Sequence, residues 1–347
     1  MLASPAVPGT ASVSAIVVSY AEPAATRAAV QSLLAQTHAP DQIIVVDNHP
    51  DAPARAALEG LDVELVRPEH NLGFAPAVNH AARAARGEWL LCLNPDAVAA
   101  PDCVERLLEA GAPPDVGVVG AQVLLPDGET VNAGANPLHI SGLSWSGRYL
   151  EPREDGPPRD ALVVSGAALM IRAETFRALG GFPPGFFLYH EDVDIGWRAR
   201  AAGWRVRFCP RATVRHDYVF TKGADKWFWL ERNRLWTVLT GYEARTLVLL
   251  APLLAATEAA ILLFALRGGW LGSKLRAYAA LARSAPALVR WRRFVQGSRR
   301  VPDRDLLDDF AGEIATPLLQ HPLLGVVNPW LERYRRLVLR SLRSGRT

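Results

Sequence analysis

With 347 residues, half of them hydrophobic and 21% charged, the chain can bury a large core, which excludes a disordered or collagen-like polypeptide. Its three cysteines, Cys92, Cys103 and Cys209, are odd in number and widely spaced, which argues against a disulfide scaffold and for a reducing compartment. The net charge of +3 is unevenly placed: residues 259–302 hold nine Lys/Arg and no acid, residues 331–347 carry +5, and the rest carries −11.

Residues 1–12 are small and Pro-rich and read as a flexible tail; no basic segment precedes an apolar run, so no signal peptide is expected. Residues 13–19 are β-branched without a helical period and predict a buried strand. Helical spacing of Val30, Leu33 and Leu34 predicts a helix over 24–36. Strands are predicted at 43–46, ending at Asp47-Asn48, and at 63–66, followed by Asn71-Leu72-Gly73-Phe74 and an Ala-rich helix over 76–86. A fourth strand, 89–93, runs into Asn94-Pro95-Asp96. This alternation predicts an α/β class: a Rossmann-like, mostly parallel sheet with helices on both faces, binding ligands at the carboxyl ends of its strands. Further strands are expected at 116–123, 162–172 and 206–209. A domain over 13–240 would precede an apolar and basic helical region over 241–347.

Few residues stand out chemically. Asp96, just past a strand, can hold a hard cation against a diphosphate, or merely close an Asx-type turn. Glu191-Asp192-Val193-Asp194 follows a glycine- and aromatic-rich loop and opens a predicted helix. Capping accounts for one or two of these acids but not three, and the helix N-terminus favours an ionised carboxylate suited to a general base. His216 and Asn71 are weak signals alone, since a lone histidine is more often packed than ligating and a Gly-containing turn is ordinary.

In order, these pieces resemble glycosyltransferase family 2, inverting enzymes of GT-A fold, and within it the rhamnosyltransferase-like branch. The matching segments are Ile16-Val17-Val18-Ser19-Tyr20, Val45-Val46-Asp47-Asn48, Asn71-Leu72-Gly73-Phe74-Ala75 and Leu93-Asn94-Pro95-Asp96. Ser165-Gly166-Ala167-Ala168, Gly180-Gly181-Phe182, Tyr189-His190-Glu191-Asp192-Val193-Asp194 and Glu231-Arg232-Asn233-Arg234 complete the series. The resemblance implies that Ser19, Tyr20 and Asp47 hold the donor base and ribose. Asn71, Asn94 and Gly166 would help position the nucleotide sugar. Asp96, with His216, would bind Mg²⁺ or Mn²⁺, and Asp192, in the Glu191-Asp192 pair, would be the catalytic base. Departures are Asn94 in place of the first acid of Asp-x-Asp, Ala21 after Tyr20, and Asp217-Tyr218-Val219-Phe220-Thr221 where small residues are usual. The Gln-x-x-Arg-Trp motif of processive synthases is absent.

Residues 247–266 form an apolar stretch between Arg245 and Arg267, long enough to span a bilayer but interrupted by Pro252 and by Glu258, whose insertion costs up to about 3 kcal/mol. Residues 270–291 mix Leu, Tyr and Trp with Lys/Arg as interfacial helices do. The expectation is helices lying in the cytoplasmic leaflet, with basic residues on anionic lipid and a lipid-linked or glycan acceptor within reach. A true span and a helix buried in a soluble oligomer are the alternatives. A nucleotidyltransferase would need a Gly-rich phosphate loop where Ser19-Tyr20-Ala21-Glu22-Pro23 stands. A nucleic-acid binder is disfavoured because the basic residues sit within long apolar runs.

Overall fold

In the computed structural model of the chain, residues 11–51, 53–216, 225–317, 319 and 322–344 are described. The first part alternates strands and helices: β1 (Val13–Ser19), α1 (Pro23–Leu34), β2 (Gln42–Asp47), α2 (Pro53–Ala57), β3 (Glu64–Val66), α3 (Phe74–Ala81), β4 (Trp89–Leu93), β5 (Ala97–Ala99), α4 (Cys103–Gly111) and β6 (Val116–Leu124). The middle is less regular: β7 (Val131–Ala133), β8 (Ala135–Asn136), β9 (Arg159–Ala161), β10 (Val163–Val164), β11 (Ala168–Arg172), α5 (Ala173–Ala178), α6 (Glu191–Ala201) and β12 (Arg205–His216). Helices complete the chain: α7 (Lys226–Gly241), α8 (Ala244–Arg267), α9 (Leu271–Arg283), α10 (Ala285–Ser298), α11 (Asp303–Leu306) and α12 (Pro322–Ser344).

The main sheet runs β3-β2-β1-β4-β11-β6-β12-β5. β3, β2, β1 and β4 are parallel neighbours and β12 is parallel to β6; β11 returns antiparallel between β4 and β6. Every residue of β1, β2 and β4 is buried, which is why these strands show no polar alternation. Val13, Ala15 and Val17 pack toward α1 and α4, whereas Ile16 and Val18 join the cluster that holds α3 and α5. The sheet is therefore covered on both faces.

Three predicted elements differ in detail. The helix expected over 76–86 is α3, which starts earlier, after Gly73, and ends at Ala81. Ser14 Oγ and Gln42 Oε1 accept the Arg86 N–H and draw the chain out of the helix. The strand expected over 162–172 is split: β10 pairs with β8 in a separate two-stranded sheet, and after Ser165 to Ala167 the chain enters the main sheet as β11. β12 is instead longer than expected, with an irregularity between Cys209 and Thr213 that carries it to His216.

α8 has a mean hydropathy of 2.3 over its most apolar window, and only 11% of that window is buried against the protein. By length and composition it is the one helix among the described residues that could cross a membrane. Glu258 does not interrupt its outward face. The carboxylate turns inward to Arg234, to Lys274 Nζ at 2.7 Å and to the Tyr278 hydroxyl at 2.6 Å. Glu231 joins the same buried cluster through Arg234 and Lys274. Burial opposes ionisation of Glu258, but Arg234 and Lys274 outweigh it and hold its pKa down to about 2. Leu250 and Leu253 of α8 meet Val338, Leu339 and Leu342 of α12 in a third apolar cluster that also contains Trp197 of α6 and Tyr242.

Candidate active site

The carboxyl end of β4 and the start of β11 lie side by side. Leu93 pairs with Ala168, and the Asn94 N–H donates to the Ala167 carbonyl at 2.9 Å. One residue back, the Gly166 N–H donates to Asp192 Oδ2 at 3.0 Å. An added Cβ at Gly166 would lie 3.4 Å from the Asp192 Cβ, an ordinary contact, so what Gly166 contributes is its N–H. Asp96, two residues beyond Asn94, has its Oδ1 2.9 Å from His216 Nε2 at the end of β12, and Asn94 Nδ2 lies 3.3 Å from the same nitrogen. The topology thus brings Asn94, Asp96, Gly166, Asp192 and His216, five residues from four chain segments, to one end of the sheet.

Asp192 sits in the first turn of α6, where Oδ1 also accepts the Val193 N–H at 2.8 Å. Burial raises its pKa above the ordinary aspartate value, while the Gly166 and Val193 N–H groups favour its ionised form. Burial and the neighbouring Asp192 carboxylate push Glu191 up to about 8, so at neutral pH it holds a proton. Asp194 points the other way and is salt-bridged to buried Arg198, whose guanidinium also donates to the Leu179 and Gly181 carbonyls. The third acid therefore pins the helix to the preceding glycine-rich loop.

That loop is held from α7. Arg232 Nη1 donates to the Gly185 carbonyl, and the Asn233 amide donates to the carbonyls of Leu188 and Tyr189 at 2.9 and 2.8 Å. On its other side the Phe187 carbonyl accepts the Phe74 N–H at 2.7 Å. A Cβ on Gly73, whose φ is +77°, would fall 2.3 Å from that oxygen, so only glycine fits.

The remaining sequence candidates line the adjacent ends of β1 and β2. Ser19 continues the Val13, Ala15, Val17 face and is fully buried, its hydroxyl 2.8 Å from that of Thr26, so it does not present a side chain to the cleft. Tyr20 is 51% exposed, its ring 5.1 Å from that of His49. The Asp47 carboxylate is buried and accepts the Ala54 N–H at 3.1 Å, shaping the 48–54 turn. The Asn71 side chain accepts the Gly73 N–H, and Asn48 ties this turn to β2 by bonding the Gly73 carbonyl and the Leu72 N–H. His49 was not singled out in the sequence, where nothing marks its pairing with Tyr20. Residues 217–224, which include the segment after His216 that departs from the family pattern, lie outside the described residues.

Asp192 borders a cavity of about 280 Å³. Its walls include Asn132, Asn136, Trp145 and Tyr149, none of which belongs to a motif visible in the sequence. A larger cleft of about 630 Å³ between Arg83, Arg177 and Trp291 contains none of the acidic candidates.

Asp96 and His216 offer a carboxylate oxygen and an imidazole nitrogen in mutual reach, a donor set that fits a divalent cation completing its shell with phosphate and water oxygens. Among the described residues no cluster of three or more His, Cys, Asp or Glu forms a self-sufficient metal site.

The family model "Glycosyl transferase family 2" matches residues 14–180. The chain is 33% identical over 233 residues to the O-antigen biosynthesis protein RfbC of Myxococcus xanthus, covering 62% of this chain but 18% of that protein. It is 30% identical over 222 residues to the N-acetylglucosaminyl-diphospho-decaprenol L-rhamnosyltransferase of Mycobacterium tuberculosis, covering 56% of this chain and 72% of that enzyme. Among solved structures, GalNAc-T7 with UDP, GalNAc and Mn²⁺ superposes with a TM-score of 0.57 at 18% identity, over 67% of this chain and 48% of that one, and shares the fold. The chain belongs to glycosyl transferase family 2, in its rhamnosyltransferase-like branch, and is a glycosyltransferase of GT-A-type fold.

Proposed function

We propose that the protein is an inverting transferase that moves a single sugar, rhamnose from dTDP-rhamnose, to a hydroxyl of a lipid-linked glycan in cell-envelope polysaccharide synthesis. The observation that carries this reading is the convergence of Asp192 and the Asp96–His216 pair through the Asn94–Ala167 and Gly166–Asp192 hydrogen bonds. Asp192 takes the acceptor hydroxyl proton as that oxygen attacks the anomeric carbon from the face opposite the diphosphate, so one displacement inverts the configuration. Asp96 and His216 would hold Mg²⁺ or Mn²⁺, which when bound supplies positive charge to the departing diphosphate. The exposed Tyr20 ring, with the half-buried His49 ring beside it, would take the donor base, and Asp47 and Asn71 shape the turns next to it. The rhamnosyl donor rests on the name of the relative in Mycobacterium tuberculosis; UDP- and GDP-linked hexoses are the next candidates.

The C-terminal helices would rest on the cytoplasmic face of the cell membrane. In support, α8 exposes Val248, Leu263, Phe264 and Leu266, and α12 exposes Leu323, Val326 and Trp330. Several basic residues of this region are used internally, as Lys274 and Arg299 are, but Arg267, Arg283, Arg290 and Arg293 have no carboxylate partner among the described residues.

The deciding assay is release of nucleotide from a panel of dTDP-, UDP- and GDP-sugars with Mg²⁺ or Mn²⁺. Release with none of them would end the transferase mechanism; release confined to another sugar would replace rhamnose.

A further inference from the structure

The cavity beside Asp192 differs from the donor side in composition. Its walls carry the aromatic rings of Trp145, Tyr149 and Tyr189, the amides of Asn132 and Asn136, the Ser146 hydroxyl and, among the described residues, no Lys or Arg. Among the described residues no aromatic ring stacks on Trp145 or Tyr149. Asn132 is only 7% exposed, yet its side chain makes no hydrogen bond there. Its amide lines the cavity, where its donors and acceptor are accessible to a ligand. Asn136 spends its oxygen on the Gly147 N–H at 2.9 Å, which leaves its NH₂ for a ligand.

Backbone strain gathers at the same place. Arg148 and Leu150, on either side of Tyr149, have φ of 57° and 66°, and the wall residues Tyr189 and His190 have 67° and 71°. Left-handed conformations are unfavourable at non-glycine residues, and they persist where a site must hold side chains in a set direction.

The geometry points to this cavity as the acceptor subsite, built for a neutral pyranose laid against Trp145, its hydroxyls bonded by Asn132 and the Asn136 amide. This rests on the reading of Asp192 as the base. Aromatic faces take the C–H surface of a sugar ring, and amides serve as both donors and acceptors for hydroxyls. The cavity is small, near the lower end of ligand sites, and suits one sugar ring rather than a diphosphate with its cation. A uronate or phosphate there would face Asp192 with no Lys or Arg among the described wall residues to balance it. His190 does not supply one, since burial and nearby Arg234 keep its ring neutral. In the step itself one acceptor O–H proton passes to Asp192, the new bond forms between that oxygen and the anomeric carbon, and the anomeric C–O bond to the diphosphate breaks with its electron pair leaving on the nucleotide.

The test uses the full chain with methyl glucoside, methyl N-acetylglucosaminide and methyl glucuronide as probes. Binding is read by saturation-transfer NMR, and nucleotide release is read separately without acceptor. The two neutral glycosides should bind and the glucuronide should not. Trp145→Ala should weaken neutral-glycoside binding about tenfold or more, with acceptor-free nucleotide release unchanged, and Trp145→Phe should restore most of the binding. Unchanged binding in Trp145→Ala, or equal binding of the glucuronide, would overturn the assignment. Binding that depends on Trp145 in a chain that releases nucleotide from no donor would uphold the sugar site and fault the base instead.

Discussion

His216 Nε2 stands 2.9 Å from Asp96 Oδ1, a contact between residues 120 positions apart made at the ends of β12 and the turn after β4. With Asn94 in place of an acid, these two side chains offer one carboxylate and one imidazole, and no group of three or more His, Cys, Asp or Glu forms among the described residues. A site with two protein ligands leans on the diphosphate for the rest of its shell. Chelation with EDTA should therefore abolish nucleotide release, and Mn²⁺ should bind strongly only with nucleoside diphosphate present, as read by electron paramagnetic resonance. Asp96→Ala should remove this binding. His216→Ala should weaken it less, and tight Mn²⁺ binding without nucleotide would contradict the two-ligand account.

Asp192→Asn keeps size and one of the two hydrogen bonds that the carboxylate accepts, but cannot accept the acceptor proton. Turnover should fall by roughly 10²–10⁴ with donor affinity unchanged, measured by steady-state transfer and by nucleotide titration. Near wild-type turnover would show that the base lies elsewhere.

Glu191 gives a prediction for stability. Its ordinary value of 4.5 is raised to about 8 in the fold. Between those values the folded chain keeps a proton that the unfolded chain releases, so this group lowers stability as pH rises through that window. Glu191→Gln should remain neutral throughout and lose that slope. Melting temperatures of both proteins from about pH 5 to about pH 9 should diverge in favour of the variant at the alkaline end. Parallel curves would mean that Glu191 is ionised in the fold.

Gly73 is the most constrained glycine beside the site, with φ of +77° and the Phe187 carbonyl where a side chain would be. Gly73→Ala should cost on the order of 1–3 kcal/mol and loosen the Asn71 turn and the 185–189 loop together. Chemical denaturation and donor affinity should both register it.

The parallel half of the sheet was legible because β1, β2 and β4 are continuous apolar runs, each closed by a turn former at its carboxyl end. The Asp96, Gly166, Asp192 and His216 set was legible only through the ordered motifs, since no spacing in the chain reveals that Gly166 hydrogen-bonds Asp192. The direction of Ser19 could have been read from strand alternation, which puts it with Val17 on the α1 face. The walls around Trp145 and Asn132 could not, because they come from short strands and left-handed turns whose positions depend on tertiary contacts. The orientation of Glu258 was hidden for the same reason: its partners Arg234 and Lys274 lie on two other helices.

Those partners also yield a stability test. Glu258→Ala would leave Arg234 and Lys274 with Glu231 alone in a buried setting, and should cost about 3–5 kcal/mol by denaturant titration, whereas loss of an exposed ion pair such as Arg276–Asp225 should cost less than about 1 kcal/mol.

The α7–α8–α9 ion cluster bears on how the protein can be dissected. Cutting the chain after α7 would strip Glu231 and Arg234 of Glu258 and Lys274, right beside the Arg232 and Asn233 side chains that fasten the 185–189 loop. An excised nucleotide-binding half would thus be a damaged enzyme rather than a minimal one. Chimeras that exchange the C-terminal helices between relatives will need matched charges at 231, 234, 258 and 274 to work.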